Sequence, residues 1–220
     1  MHQFNKYWGE DCTILGFSPP VFSLPSNFKF FSLSDNNGDI LLWSTYLREY
    51  LTREVRSSHF ILLLEDYWLV RSVNVAFLNN LIAYTIHSPE VLRMDLTLDR
   101  ASIPHEIYGV SNYVKIIATE STSMYQMSLQ AGIWNKKLFL SVVEDHWTPW
   151  QIEVDGSQKL ANLDPLSYRV LGTLIGVLDY SPVFRIHKNL LDFRRFPKND
   201  LEEIRSKGLV NVPPGIRVFE

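Results

Sequence analysis

The sequence predicts an α/β protein, with a three-layer α/β/α sandwich, a mostly parallel central sheet and a less regular C-terminal part. Three observations give this prediction. Strand-like and helix-like segments alternate across residues 13–118. The amphipathic pattern over 41–56 leads directly into the apolar run from Phe60 to Leu64, which is typical of a strand buried on both faces. The length of 220 residues suits a single domain over 1–220.

The N-terminal part is predicted to contain short elements. Gly9 ends a helical segment, and a loop with three prolines separates two β-prone runs. The predicted elements are the end of a helix over 2–8, strands over 13–17 and 27–33, a loop over 18–26 and a turn over 34–39.

The clearest helix covers residues 41–56. One stripe of large apolar side chains recurs at helical spacing, with charged residues on the other side. The stripe consists of Trp43, Tyr46, Leu47, Tyr50 and Leu51. A central strand is then expected over 59–64.

Further elements alternate after this strand. Pro89 ends a second helix, and Thr148, Pro149 and Gln151 fit the N-cap, first helical and capping-box positions of a later one. The predicted elements are helices over 73–87, 138–143 and 199–206, a helix opening at 149, strands over 91–96 and 113–118, a loop over 99–111, a strand or loop end over 126–134, and one or two strands within 171–184.

Composition excludes several classes of protein. The formal net charge of −3 argues against a nucleic-acid-binding surface. A single cysteine, Cys12, allows no internal disulfide and no cysteine-based zinc site. No apolar stretch reaches the roughly 18 residues of a membrane span, and no apolar signal region opens the chain. A cytoplasmic protein is the resulting expectation.

The apolar run ends abruptly in two acids, Glu65 and Asp66. In open α/β sheets, ligands bind just beyond the carboxyl ends of the strands. These acids therefore stand where a metal ion or a phosphorylated ligand would be held, or else they form an ordinary solvated strand end. The residues alone leave both interpretations open.

Three patterns together resemble the nucleotide-sugar-dependent glycosyltransferases of the GT-A type, in their bacterial and phage polysaccharide-biosynthesis branch. The first is Trp43-Ser44 opening the helix before the apolar strand. The second is that strand, which ends Leu63-Leu64-Glu65-Asp66-Tyr67-Trp68-Leu69. The third is the segment from Ser128 to Leu138, followed by Trp147 to Glu153. Order and spacing carry the resemblance, over about residues 4–190.

The resemblance implies a cation-assisted, hexosyltransferase-like enzyme whose fold is GT-A-like. Residues of about 1–120 would form the donor-nucleotide half, and those of about 121–220 the acceptor half and tail. Trp43, Ser44 and Tyr67 would line the donor site. Asp66 and Glu65 would hold Mn²⁺ or Mg²⁺, which stabilises charge on the leaving diphosphate.

On the acceptor side, Glu153 matches the family's general base, which deprotonates the attacking hydroxyl. Its alternative role is a first-turn acid favoured by the helix dipole. Trp134 and Trp150 would stack on the acceptor sugar, or pack in the core. The implied partners are a nucleotide-diphospho-sugar donor and a saccharide or lipid-linked acceptor, with peripheral membrane contact allowed and no nucleic acid.

Two departures from the family pattern leave other functions open. The acidic motif is incomplete, because either Asp66 matches its last acid or Glu65 matches its first and Tyr67 replaces the last. The first strand of the family is also expected to be missing. A non-catalytic carbohydrate-binding or assembly protein is therefore the second hypothesis, and a nucleotidyltransferase the third.

Overall fold

The computed structural model describes residues 1–33, 38–185, 190–210, 212 and 214–219. Most of the turn predicted over 34–39 lies outside them. Six helices are described: α1 His2–Tyr7, α2 Trp43–Arg53, α3 Val75–His87, α4 Lys136–Val142, α5 Pro149–Ala161 and α6 Lys198–Ser206. Short 3-10 turns cover Ile40–Leu42 and Arg100–Ser102.

Thirteen strands are described, most of them short. They are β1 Cys12–Gly16, β2 Phe28–Ser32, β3 His59–Leu62, β4 Tyr67–Leu69, β5 Val91–Asp95, β6 His105–Ser111, β7 Val114–Thr119, β8 Gly132–Asn135, β9 Arg169–Thr173, β10 Tyr180–Pro182, β11 Phe184–Arg185, β12 Leu190–Asp192 and β13 Arg217–Phe219.

The main sheet has six strands in the order β3-β8-β5-β9-β7-β6. Only β5 and β9 pair in parallel, and the other four pairs are antiparallel. The predicted mostly parallel central sheet of a three-layer sandwich is therefore wrong. The reason is local: β8 inserts antiparallel between β3 and β5, and β6 and β7 form a hairpin.

The prediction of a central strand over 59–64 is also wrong, because β3 is an edge strand of this sheet. Both of its faces are nevertheless covered by apolar clusters. Ile61 packs against one cluster, while Phe60 and Leu62 pack against the other. An apolar run indicates that both faces of a strand are buried. It does not indicate whether the strand has a hydrogen-bonded neighbour along both of its edges.

Helices pack on both faces of the main sheet. Successive residues of β8 point to opposite faces, and Ile133 belongs to one core cluster while Trp134 belongs to the other. Leu78 and Leu81 of α3 belong to the same core cluster as Ile133. The cluster around Trp134 takes its helical residues from α2, α4 and α5: Leu47, Leu51, Phe139, Val142, Ile152 and Leu160.

Three smaller sheets flank the main one. β1 pairs with β2 in parallel, β4 pairs with β10, and β12 lies between β11 and β13. A third core cluster ties the C-terminal part to Val70 through Val183, Leu191, Phe193, Phe196 and Ile204. Among the residues described, no helix is both long and apolar enough to cross a bilayer.

Candidate functional site

The two predicted metal-binding acids lie in the turn between β3 and β4. Glu65 is exposed and Asp66 is half-buried. The backbone carbonyl of Asp66 accepts a hydrogen bond from the Val183 N–H at 2.8 Å. The turn is therefore anchored through its backbone, which leaves the Glu65 carboxylate facing solvent.

Tyr180 fixes the residue before the acids. Its hydroxyl donates to the Leu64 carbonyl at 2.5 Å and lies 2.5 Å from the Leu64 amide nitrogen. Burial raises the pKa of Tyr180 well above its ordinary value, and the carboxylates of Asp66 and Glu65 raise it further. Tyr67, predicted at the donor site, stacks on the Tyr180 ring with centroids 4.9 Å apart. The phenol stays neutral and holds the turn.

Glu153 lies one turn inside α5, not in its first turn, which contains no acid. Its carboxylate accepts a hydrogen bond from the Leu129 N–H at 2.8 Å. Ser157, one turn further along α5, accepts the Met127 N–H at 2.9 Å. Both contacts hold the segment 127–131 that leads into β8. A carboxylate has two oxygens and several lone pairs, so this bond leaves acceptor capacity on Glu153.

Ser44 and Trp43, predicted near the donor, are tied to the segment before α5. Ser44 is fully buried, and its hydroxyl accepts the Trp147 N–H at 2.8 Å. The Ser44 N–H donates to the Trp147 carbonyl at 3.0 Å. Trp43 is half-buried against the core cluster that contains Trp134. The structure thus brings the first and third sequence patterns together.

The two tryptophans predicted to stack on an acceptor lie in opposite environments. Trp134 is 0% exposed, with Phe139 edge-on at 5.1 Å and the Arg93 guanidinium carbon 5.3 Å from its ring. Trp150 is 67% exposed near the start of α5. Only Trp150 offers an accessible ring, while Trp134 packs in the core.

A buried ionic cluster was not predicted. Arg93 and Asp95 on β5 are 0% exposed, and Arg100 is 4% exposed. Arg93 binds Asp95 at 3.0 Å and also donates to the Gln130 carbonyl at 3.2 Å. Arg100 Nε lies 3.9 Å from the same Asp95 carboxylate. One carboxylate therefore faces two guanidinium groups.

The buried part of this cluster holds two guanidinium groups and one carboxylate, and the exposed Asp99 adds a second negative charge that acts on both arginines. Burial, and then the neighbouring Arg93 charge, lower the pKa of Arg100 to about 10. Three buried donors, Nε and Nη1 of Arg93 and Nε of Arg100, have no hydrogen-bond partner among the described residues. A signal existed in the sequence, since Arg93 and Asp95 are two apart in an otherwise apolar strand and so share a face.

The described part of the chain contains no group of three or more His, Cys, Asp or Glu side chains arranged to hold a metal ion. The two acids of the β3–β4 turn would supply at most part of a coordination shell. Mg²⁺ is commonly bound through one or two carboxylates, with substrate phosphates and waters completing its shell. A cation at this turn would therefore need ligands beyond Glu65 and Asp66, such as the oxygens of a diphosphate.

No family model matches this sequence, and neither curated proteins nor solved structures provide a match.

Proposed function

We propose that this protein is a glycosyltransferase that uses a nucleotide-diphospho-sugar donor and a saccharide or lipid-linked acceptor. One observation supports it most strongly. The acidic turn after β3 and the segment 127–131, which Glu153 holds, run to the same edge of the main sheet.

The strand register accounts for this convergence. β3 and β8 are antiparallel, with Leu62 opposite Gly132. Residues that follow Leu62 and residues that precede Gly132 therefore leave the sheet at the same end. Glu65 and Asp66 belong to the first set, and Leu129, bound by Glu153, belongs to the second. The acidic turn and the segment bound by Glu153 therefore leave the sheet at one end, which supports the proposal of neighbouring donor and acceptor sites.

Each group has a distinct role in the proposed reaction. Asp66 and Glu65 hold the divalent cation, Mn²⁺ or Mg²⁺, which would stabilise charge on the departing nucleoside diphosphate. Glu153 takes the proton from the acceptor hydroxyl as its oxygen bonds to the anomeric carbon. The exposed Trp150 presents an aromatic face to the acceptor sugar.

Ligand binding and product release test this function. A panel of UDP- and GDP-sugars with Mn²⁺ or Mg²⁺ is expected to raise the melting temperature through binding to the folded state. At a ligand concentration of about 100 times Kd, binding stabilises the folded state by about 2.7 kcal/mol. For a chain of this size, this raises the melting temperature by roughly 5–10 °C. Asp66→Ala should abolish the shift and the release of nucleoside diphosphate.

Glu202→Ala is the matched control, because Glu202 is an exposed acid on α6. It should keep both the thermal shift and the turnover. No shift across the whole panel in wild type and Asp66→Ala alike would refute the proposal.

A carbohydrate-binding protein without catalysis is the second candidate. The contacts of Glu153 and Ser44 favour this candidate, because both side chains accept hydrogen bonds from the protein's own backbone and so have a structural role. This candidate predicts glycan binding that EDTA does not change, with no nucleoside diphosphate released. Release of pyrophosphate would instead indicate a nucleotidyltransferase.

A further inference from the structure

The backbone of Gln130, just before β8, is fixed by hydrogen bonds within the protein. Its carbonyl accepts a hydrogen bond from the fully buried Arg93 at 3.2 Å. Its N–H donates to Ser128 Oγ at 3.3 Å. Together with the bonds from α5 to the segment 127–131, these contacts order the backbone around Gln130 before any ligand binds.

The polar side chains around this position differ in their partners. The amide of the buried Gln126 donates to Thr119 Oγ1 at 3.0 Å and to the Glu120 carbonyl. Ser128 accepts the Gln130 N–H. The side chain of Gln130 is half-buried, and it makes no hydrogen bond to any residue that the structure describes. Its amide group is therefore available to a ligand.

Gln130 lies beside the acidic turn. In the antiparallel pair of β3 and β8, Leu62 is opposite Gly132. Leu64 follows Leu62 by two residues, and Gln130 precedes Gly132 by two, so both leave neighbouring strands at the same end. Neighbouring strands are roughly 4.8 Å apart. Because Glu65 comes directly after Leu64, one ligand of sugar-nucleotide size can contact both the turn and Gln130.

Both sides of this position are held rigidly. The Tyr180 hydroxyl donates to the Leu64 carbonyl at 2.5 Å. On the other side, Arg93 bonds the Gln130 carbonyl and is itself paired with Asp95 at 3.0 Å. Groups that are ordered in the free protein lose less entropy when a ligand binds. The Gln130 side chain thus starts from a fixed backbone position.

The chemistry of the amide indicates which part of a sugar nucleotide it suits. A glutamine amide both donates and accepts hydrogen bonds, and so does a sugar hydroxyl. The oxygens of an ionised diphosphate only accept, so they would leave the amide oxygen without a partner. The hydroxyl groups of the sugar ring are therefore the better match for Gln130.

We propose that Gln130 binds the transferred sugar, with its side-chain amide hydrogen-bonded to hydroxyl groups of the donor's sugar ring. This inference rests on the proposed glycosyltransferase function and adds a residue that recognises the sugar. The acids of the turn act on the cation and the diphosphate, whereas Gln130 acts on the part of the donor that differs from one sugar nucleotide to another.

Calorimetry with Mn²⁺ tests this role by comparing UDP- and GDP-sugars with UDP and GDP alone. Gln130→Met keeps the length of the side chain and removes its donor and acceptor. It should weaken binding of the preferred sugar nucleotide about tenfold, equivalent to about 1.4 kcal/mol, which one or two neutral hydrogen bonds supply. It should leave the affinity for the matching nucleoside diphosphate unchanged.

Gln158→Met is the matched control, because Gln158 is exposed on α5. It should bind the sugar nucleotide and the nucleoside diphosphate as the wild type does. If Gln130→Met lowers the melting temperature of the free protein, Gln130→Ala provides the same comparison.

The outcomes separate this inference from the proposed function. A wild type that binds neither nucleoside diphosphates nor sugar nucleotides would refute both. If the wild type binds sugar nucleotides and Gln130→Met keeps its full affinity for them, only the role of Gln130 is overturned. Equal weakening of sugar-nucleotide and nucleoside-diphosphate binding in Gln130→Met and Gln130→Ala would also overturn it, since the residue would then act on the site as a whole.

Discussion

At the scale of single residues, Asp95 has the most contacts of the buried charged groups: its carboxylate accepts three hydrogen bonds and faces a second guanidinium group. Its Oδ1 accepts the Thr97 N–H at 2.6 Å and the Thr97 hydroxyl at 2.7 Å, while its Oδ2 faces Arg93 and Arg100. A buried ion pair contributes little net stability when intact, but breaking it is costly because a charge is left without compensation. Asp95 is thus the residue on which two buried cations depend.

Asp95→Asn should destabilise the protein by about 3–5 kcal/mol, because both guanidinium groups would lose their shared counter-charge. Urea denaturation at pH 7 measures this loss as a shift of the unfolding midpoint. Asp11→Asn is the control, since Asp11 is exposed just before β1, and it should change stability by less than about 0.5 kcal/mol. Equal losses of stability in Asp95→Asn and in the control variant would contradict the role of Asp95 as the shared counter-charge.

Elements with local signals were predicted well, whereas pairing between strands was not. The helix opening at Pro149 is confirmed, with the complete capping box of Thr148 and Gln151. The loop predicted over 99–111 is wrong, because β6 occupies its second half. The β6–β7 turn uses Asn112 and Tyr113 with φ of 45° and 67°. Hairpin turns of this kind usually contain glycine, so a turn with tyrosine gave no recognisable signal.

Removing the cap of α5 should cost about 1 kcal/mol, because Thr148→Ala leaves the Gln151 N–H without its side-chain acceptor. Urea denaturation provides the measurement. Thr52→Ala makes the same change at an exposed position of α2, where alanine is the better helix former, and should not destabilise. A Thr148→Ala variant as stable as the wild type would show that the cap is dispensable.

At the scale of the whole molecule, the two ends of the chain are joined by side chains. Tyr7, Lys6 and Gln3 of α1 all bond Asp200 of α6, at 2.5, 2.9 and 3.2 Å. Lys6 also pairs with Glu203 at 2.5 Å, and Lys207 pairs with the same carboxylate at 2.6 Å. Such contacts span nearly the entire sequence and leave no local pattern, so sequence analysis missed them.

The candidate site shows the same limit. The resemblance placed Glu153 and Asp66 in one site, and the strand register puts the acidic turn and the segment 127–131, to which Glu153 bonds, at one end of the sheet. The partner of Glu153 is a backbone N–H 24 residues away, and no side-chain pattern encodes a backbone donor. The metal and base roles therefore remain predictions.

The contact between α1 and α6 should weaken in acid. Bonds to Lys207 and Lys6 lower the pKa of Glu203 to about 2. A carboxyl with a lowered pKa stabilises the folded state fully above its ordinary pKa, and this contribution disappears as pH falls towards about 2. The melting temperature of Glu203→Gln should thus lie below that of the wild type at pH 7.

The difference between the two proteins should shrink as pH falls below about 4.5. High salt should reduce it as well, since the pairs are exposed to solvent. Glu202→Gln, on the same helix, should match the wild type throughout. A difference that stays constant between pH 7 and pH 3 would rule out an electrostatic origin.

The buried arginines also restrict which residues the neighbouring backbone tolerates. A Cβ at position 172 would lie 2.7 Å from the Cβ of Arg100, and one at position 132 would lie 3.0 Å from Arg93 Nε. Glycine at each place makes room for an arginine side chain. In evolutionary terms, residues 100 and 172 form a coupled pair, because a larger residue at one requires a smaller residue or a displaced turn at the other. Homologous chains should therefore change these two positions together.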